Sequence, residues 1–121
     1  MSRVVLDVKE GDTWELLVQC RNSDTTAYDL TNKTAHLQLR HAAKGKLIAD
    51  IDSIGGDILL NNPQNGDVLA IISSDYTKNL TSGEVTSVYA DVELRSADLV
   101  PVVLTVASLE LRVEPESTVR D

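Results

Sequence analysis

A chain of 121 residues has the size of one ordinary domain, and with no Phe, one Trp and three Tyr its core must be built from Val, Leu, Ile and Ala. The formal net charge of -8 repels polyphosphate backbones and anionic membrane surfaces, which argues against nucleic acid or a membrane as partner. No stretch approaches the ~20 apolar residues of a membrane span, and Met1-Ser2-Arg3-Val4-Val5-Leu6-Asp7 holds too short an apolar run for a signal peptide, so a protein made and kept in a cytoplasm is expected.

Alternation of apolar and polar residues dominates the chain and predicts half-buried β-strands, because a period of two puts every second side chain on one face. The first strand is expected over residues 3 to 8, and Glu10-Gly11-Asp12 then turns the chain into a second over 13 to 20. Trp14, Leu16, Val18 and Cys20 share its core phase, while Glu15 and Gln19 face outward. Cys20 is the single cysteine, so it forms no internal disulfide and reads as a small buried hydrophobe. Residues 21 to 32 have loop composition, within which Tyr28-Asp29-Leu30-Thr31 can dock a hydrophobe.

A third strand follows over 34 to 40, a fourth over 46 to 52, and the Gly55-Gly56 break leads into a short fifth over 57 to 61. Asn62-Pro63-Gln64-Asn65-Gly66-Asp67 is the strongest turn signal, since Pro fixes φ and Asn-Gly tolerates left-handed backbone. A strand over 67 to 73 precedes one short helical turn near 74 to 80, with Ser74 as the expected N-cap. The last two strands, 85 to 95 and 101 to 113, are joined closely enough through Ser96-Ala97-Asp98 to form an antiparallel hairpin.

In the last strand Val102, Leu104 and Val106 are even-numbered whereas Leu109, Leu111 and Val113 are odd-numbered. One extra residue near Ala107-Ser108 would restore a continuous core face, which predicts a β-bulge; the rival account is a central strand buried on both faces. The fold class expected is all-β, an antiparallel two-sheet immunoglobulin-like sandwich of about 7–9 strands. It occupies residues 1–113 as one domain, with a polar tail over 114–121.

Chemistry is sparse. His36 alternates with core-facing Ala35 and Leu37 and so falls on the solvated face, no serine sits in a nucleophile elbow, and no Cys/His set has zinc spacing. Asp50, Asp52 and Asp57 flank Gly55-Gly56, but a calcium loop needs a closing bidentate carboxylate where Asn61 stands, so they read as acidic turn residues. Asn32-Lys33-Thr34 and Asn79-Leu80-Thr81 match the glycosylation sequon and read as chance matches in a chain that is not secreted. Trp14 would be a sugar-stacking platform only if exposed, and its phase places it in the core. Tyr89, Asp91, Glu93 and Arg95 share one face of a long strand, either plain solvated sheet or a contact surface.

A set of short motifs follows in a fixed order along the chain. Gly11-Asp12-Thr13 opens a strand, Asp29-Leu30-Thr31-Asn32 precedes a strand ending in Leu39-Arg40, and Gly55-Gly56 precedes Ile58-Leu59-Leu60. Thr77-Lys78-Asn79-Leu80-Thr81-Ser82-Gly83 then leads to Tyr89-Ala90-Asp91-Val92-Glu93-Leu94, with Ala90 inserted, and Thr118-Val119-Arg120 stands for a reordered closing motif. In this order the motifs resemble a family of small tailed-bacteriophage structural proteins, related to the N-terminal domains of baseplate upper proteins; the resemblance spans residues 10 to 120 and implies an immunoglobulin-like sandwich in a non-enzymatic virion component.

The expectation is therefore a tail, neck or baseplate adaptor or attachment module that assembles through sheet edges, loops and termini. Its partners would be other virion proteins and copies of itself, with no cofactor, metal or catalytic residue. The hairpin and tail supply the candidate contacts: Tyr89, Asp91, Glu93, Arg95, Arg112, Glu114 and Arg120. Capsid decoration is the alternative within this class, and a carbohydrate-binding module using Trp14 or Tyr89 is the alternative outside it.

Overall fold

A computed structural model describes residues 4–42, 45–60, 62–100 and 102–115. In chain order the elements are β1 (Val4–Lys9), β2 (Trp14–Gln19), β3 (Lys33–Arg40), β4 (Leu47–Asp52), β5 (Ile58–Leu59), β6 (Asp67–Ile72), the single-turn α1 (Ser74–Thr77), β7 (Thr86–Ser96) and β8 (Val103–Glu114). They form two sheets, one ordered β1-β8-β7-β3-β4 and the other β2-β6-β5. Chain-adjacent strands β2 and β3, and β6 and β7, lie in different sheets, so the connections between them cross the core, as in immunoglobulin sandwiches. The all-β two-sheet architecture is the expected one.

Period-two patterning decides which faces meet. Val88, Ala90, Val92 and Leu94 of β7 point inward beside Ala35, Leu37 and Leu39 of β3 and Leu109, Leu111 and Val113 of β8. Opposite them lie Trp14 and Leu16 of β2 and Val68, Ala70 and Ile72 of β6, all buried in the same cluster. Small branched side chains suit this arrangement, because two pleated faces about 10 Å apart interdigitate without a large ring to fill the gap. Trp14 closes one end, 4% exposed, with its indole N–H donating to the Lys9 carbonyl (2.8 Å). Leu30 is the docked hydrophobe of the long loop, and Cys20 is buried beside the strand.

Several details depart from what the sequence leads one to expect. The five-stranded sheet is mixed, not purely antiparallel, because β1 runs parallel to β8 with Val4 opposite Leu109 and Lys9 opposite Glu114. A 3-10 turn over Pro63–Asn65 adds a second short helical element, closed by Gly66 at φ 73°. The N-cap of α1 is Ser73, not Ser74: its side-chain oxygen accepts the Asp75 N–H (3.2 Å), and its extended backbone leaves Ser74 as the first helical residue.

The bulge falls one residue earlier than expected. Thr105 pairs with Glu93 and Ala107 with Val92, leaving Val106 extra, so Ala107 joins the inward set with Leu109 and Leu111. β8 is not buried on both faces, since Arg112 and Glu114 on its outer side are exposed.

Candidate functional site

The outer face of the five-stranded sheet gathers the polar side chains that alternation excludes from the core. Along β7, Tyr89, Asp91, Glu93 and Arg95 form one column, with Asp91 and Arg95 exposed and Tyr89 and Glu93 half-buried. Register places Arg40 and Glu110 on either side of Tyr89, Gln38 and Ser108 beside Asp91, and His36 and Thr105 beside Glu93. Arg112 lies one row further along, between Ser87 and Asp7, and Glu114 sits opposite Lys9 at the far corner. The structure thus brings six of the seven expected contact residues onto one face. Arg120 lies outside the described residues.

Lateral hydrogen bonds tie this face together. Ser108 Oγ donates to Asp91 Oδ1 (2.9 Å), Ser87 Oγ to Glu110 Oε2 (3.3 Å), and Arg40 to both the Gln38 side chain (3.0 Å) and the Gly45 carbonyl (2.8 Å). His36 Nε2 contacts Asp50 Oδ1, but with side chains 37% and 44% exposed this is a surface pair worth about 0–1 kcal/mol. A shallow depression beside it, lined by Thr34, His36, Asp52, Ile54, Glu93 and Arg95, encloses about 240 Å³. Among the described residues no group of three or more His, Cys, Asp or Glu side chains is placed to hold a metal ion, and no helix is long and apolar enough to cross a membrane.

Trp14 offers no stacking surface to a sugar, because its ring is in the core and its N–H is already engaged. Tyr89 is half-buried on the solvated face with polar neighbours.

A feature that alternation alone does not single out is the free end of the β7–β8 hairpin. Ser96 and Val102 close its base, Ser96 N–H donating to the Val102 carbonyl (3.0 Å) and Val102 N–H to Ser96 Oγ (2.9 Å). Beyond this closure Leu99 is 101% exposed and Val100 81%, and Val102, Val103 and Leu104 are also exposed. The signal is present in the sequence: from Leu99 to Leu104 the chain is apolar without alternation, so one face of that run must remain outside the core. Contiguous exposed apolar surface of this kind marks interaction sites in soluble proteins.

No protein-family model matches the chain, and no curated protein matches it. Among solved structures it is similar to a nucleoside hydrolase-related hypothetical protein from Saccharophagus degradans that is associated with carbohydrate metabolism. The identity is 12% and the TM-score 0.41, over 93% of this chain. This chain spans 23% of the length of that one.

Proposed function

We propose that this protein is a non-enzymatic structural component of a tailed-phage particle, an adaptor or attachment module of the tail, neck or baseplate that assembles through sheet edges, loops and termini. Its class rests on the ordered resemblance described above. The observation that carries the binding mode is the hairpin end, where Leu99 and Val100 stand clear of the core and continue into exposed Val102, Val103 and Leu104. Burying such residues against a neighbour contributes about 25 cal/mol per Å² of apolar area removed from water, which favours docking into a larger assembly. The polar column of Tyr89, Asp91, Glu93 and Arg95 would set register and partner choice more than affinity, because exposed charges are screened.

The test is to image particles assembled with and without this protein. A missing or detached tail part in its absence supports the adaptor; a complete tail with an unstable or undecorated head replaces it with capsid decoration. Complete, infectious particles that never contain the protein refute both.

A further inference from the structure

The edge of β2 away from β6 carries no strand among the described residues, and its backbone phase is fixed. Cys20 N–H donates to the Gly66 carbonyl (2.7 Å) in the register that pairs Trp14 with Ile72 and Val18 with Val68, so the even-numbered residues of β2 bond to β6. Ile71 N–H donates the other way, to the Asp57 carbonyl (2.8 Å), in agreement with that phase. The peptide groups of Glu15, Leu17 and Gln19 therefore point to the open edge, ready to pair with another strand.

Beside this edge lies an apolar groove of about 300 Å³, lined by Val4 and Leu6 of β1, Leu16 and Val18 of β2, and Val106 and Leu109 of β8. It exists because the larger sheet extends, through β8 and β1, past the last strand of the smaller one. No described side chain lining this stretch is charged, and Leu17 at its lip is 58% exposed. The groove continues at both ends of β2. Near the start of β2 it is flanked by Asp7, Asp12, Glu15 and Glu114 with a single Lys9, and past Gln19 it reaches Arg21.

We infer that this edge takes up an extended segment of a partner protein, running antiparallel to β2, with apolar side chains at alternate positions and basic side chains at its C-terminal end. Its backbone pairs with Glu15, Leu17 and Gln19, and its inward side chains rest on Val4, Leu6, Val106 and Leu109. Antiparallel pairing brings its C-terminus to the start of β2, where the carboxylates outnumber the one lysine. From Asp12 to Arg21 the edge accommodates about nine residues at roughly 3.3 Å each. Charge selects a different protein over a second copy, because two chains of net charge -8 repel while a basic-ended segment is attracted. A second copy's β2 is also a poor donor, since its Leu16 is already buried in its own core. The inference stands on edge geometry and does not depend on the virion reading.

The probe is a nine-residue amidated peptide that alternates threonine and valine and ends in two lysines; its control ends in two glutamates. Amide exchange and chemical shifts are read by NMR on the full chain. The lysine peptide is expected to slow exchange of the Leu17 and Gln19 amides at least tenfold at saturation and to shift resonances of β1 and β2. At low salt the glutamate peptide should bind at least fivefold more weakly, a gap that closes at high salt. Leu17→Pro removes an outward N–H that bonds to no strand and should abolish the protection; Val106→Glu, which charges the groove floor, is the second variant should the first not fold. Protection on β4 or β5 instead, equal binding of both peptides, no binding at millimolar peptide, wild-type affinity in the folded variants, or self-association through β2 would each overturn the assignment.

Discussion

Replacing Gly66 with Ala probes the joint where the 3-10 turn, the start of β6 and the end of β2 converge. Gly66 holds φ 73°, a conformation that costs an L-residue about 1–2 kcal/mol. The added Cβ would lie 2.3 Å from the Cys20 carbonyl oxygen and 2.9 Å from that of Tyr28, where ordinary contact begins at 3.4 Å. Both obstacles are backbone, so the turn must move by about 1.1 Å, the difference between 3.4 and 2.3 Å. Such a shift breaks or stretches the Cys20 N–H bond to the Gly66 carbonyl (2.7 Å) and the Tyr28 N–H bond to the Cys20 carbonyl (3.0 Å), each worth about 1 kcal/mol net.

The expected loss is therefore about 3–4 kcal/mol, a large part of the stability of a domain this size. Gly56→Ala is the control: its φ is 90°, but no atom lies within 4 Å of the added Cβ, so it carries the conformational cost alone. Urea unfolding followed by the emission of the sole, buried Trp14 measures both. At an m-value near 2 kcal/mol/M the Gly66 variant should lose about 1.5–2 M in midpoint. If Gly66→Ala costs no more than Gly56→Ala, the close approach of the backbone is wrong.

Thr77 is fully buried and its hydroxyl donates to the Asp12 carbonyl (2.5 Å), so Thr77→Val should cost about 1–2 kcal/mol in urea unfolding, and an unchanged midpoint would show that this bond does not tie α1 to the β1–β2 turn. Burial pushes the Cys20 thiol above its ordinary range, an effect that Asp67 adds to and Arg21 opposes. Iodoacetamide labelling at neutral pH should therefore proceed only at the rate of unfolding, and rapid labelling of the folded chain would refute this. The Asp24 carboxylate is held below its ordinary range by the Thr26 hydroxyl and then by the Thr26 backbone N–H, and Asp29 likewise by Thr31. A lowered folded value gives a contribution present above the unfolded value and lost as pH falls through the folded one. The double variant Asp24→Asn, Asp29→Asn should thus lose less stability than the wild type in urea titrations between about pH 5 and 2, and equal slopes would exclude any role for these two turns.

Much of the candidate site is legible in the order of the residues. Tyr89, Asp91, Glu93 and Arg95 alternate with Val88, Ala90, Val92 and Leu94, so their common face follows from the pleat alone. The apolar hairpin end is encoded in the unbroken run from Leu99 to Leu104, yet the same run passes equally well for the start of a regular strand, which conceals it. The bulge is visible as a change of phase in β8, but its place depends on what β7 presents opposite: Ala107 fits beside Val92, and the extra residue is Val106.

Neighbours are a different matter. The parallel pairing of β1 with β8 joins Val4 to Leu109, a separation of 105 residues (109 − 4), and no local pattern records it. The open flank of β2 has the same origin: because β1 pairs with β8 in the larger sheet, no strand among the described residues flanks β2 opposite β6. Period-two alternation tells each strand which side faces inward, and the lack of Phe leaves that side mainly to Val, Leu, Ile and Ala around the single Trp14; both follow from the chain alone. Which strand lies beside which, and which edge stays uncovered, is settled only when all the inward faces compete for one core, because a strand's hydrogen-bonding edges carry the same peptide groups whatever its sequence.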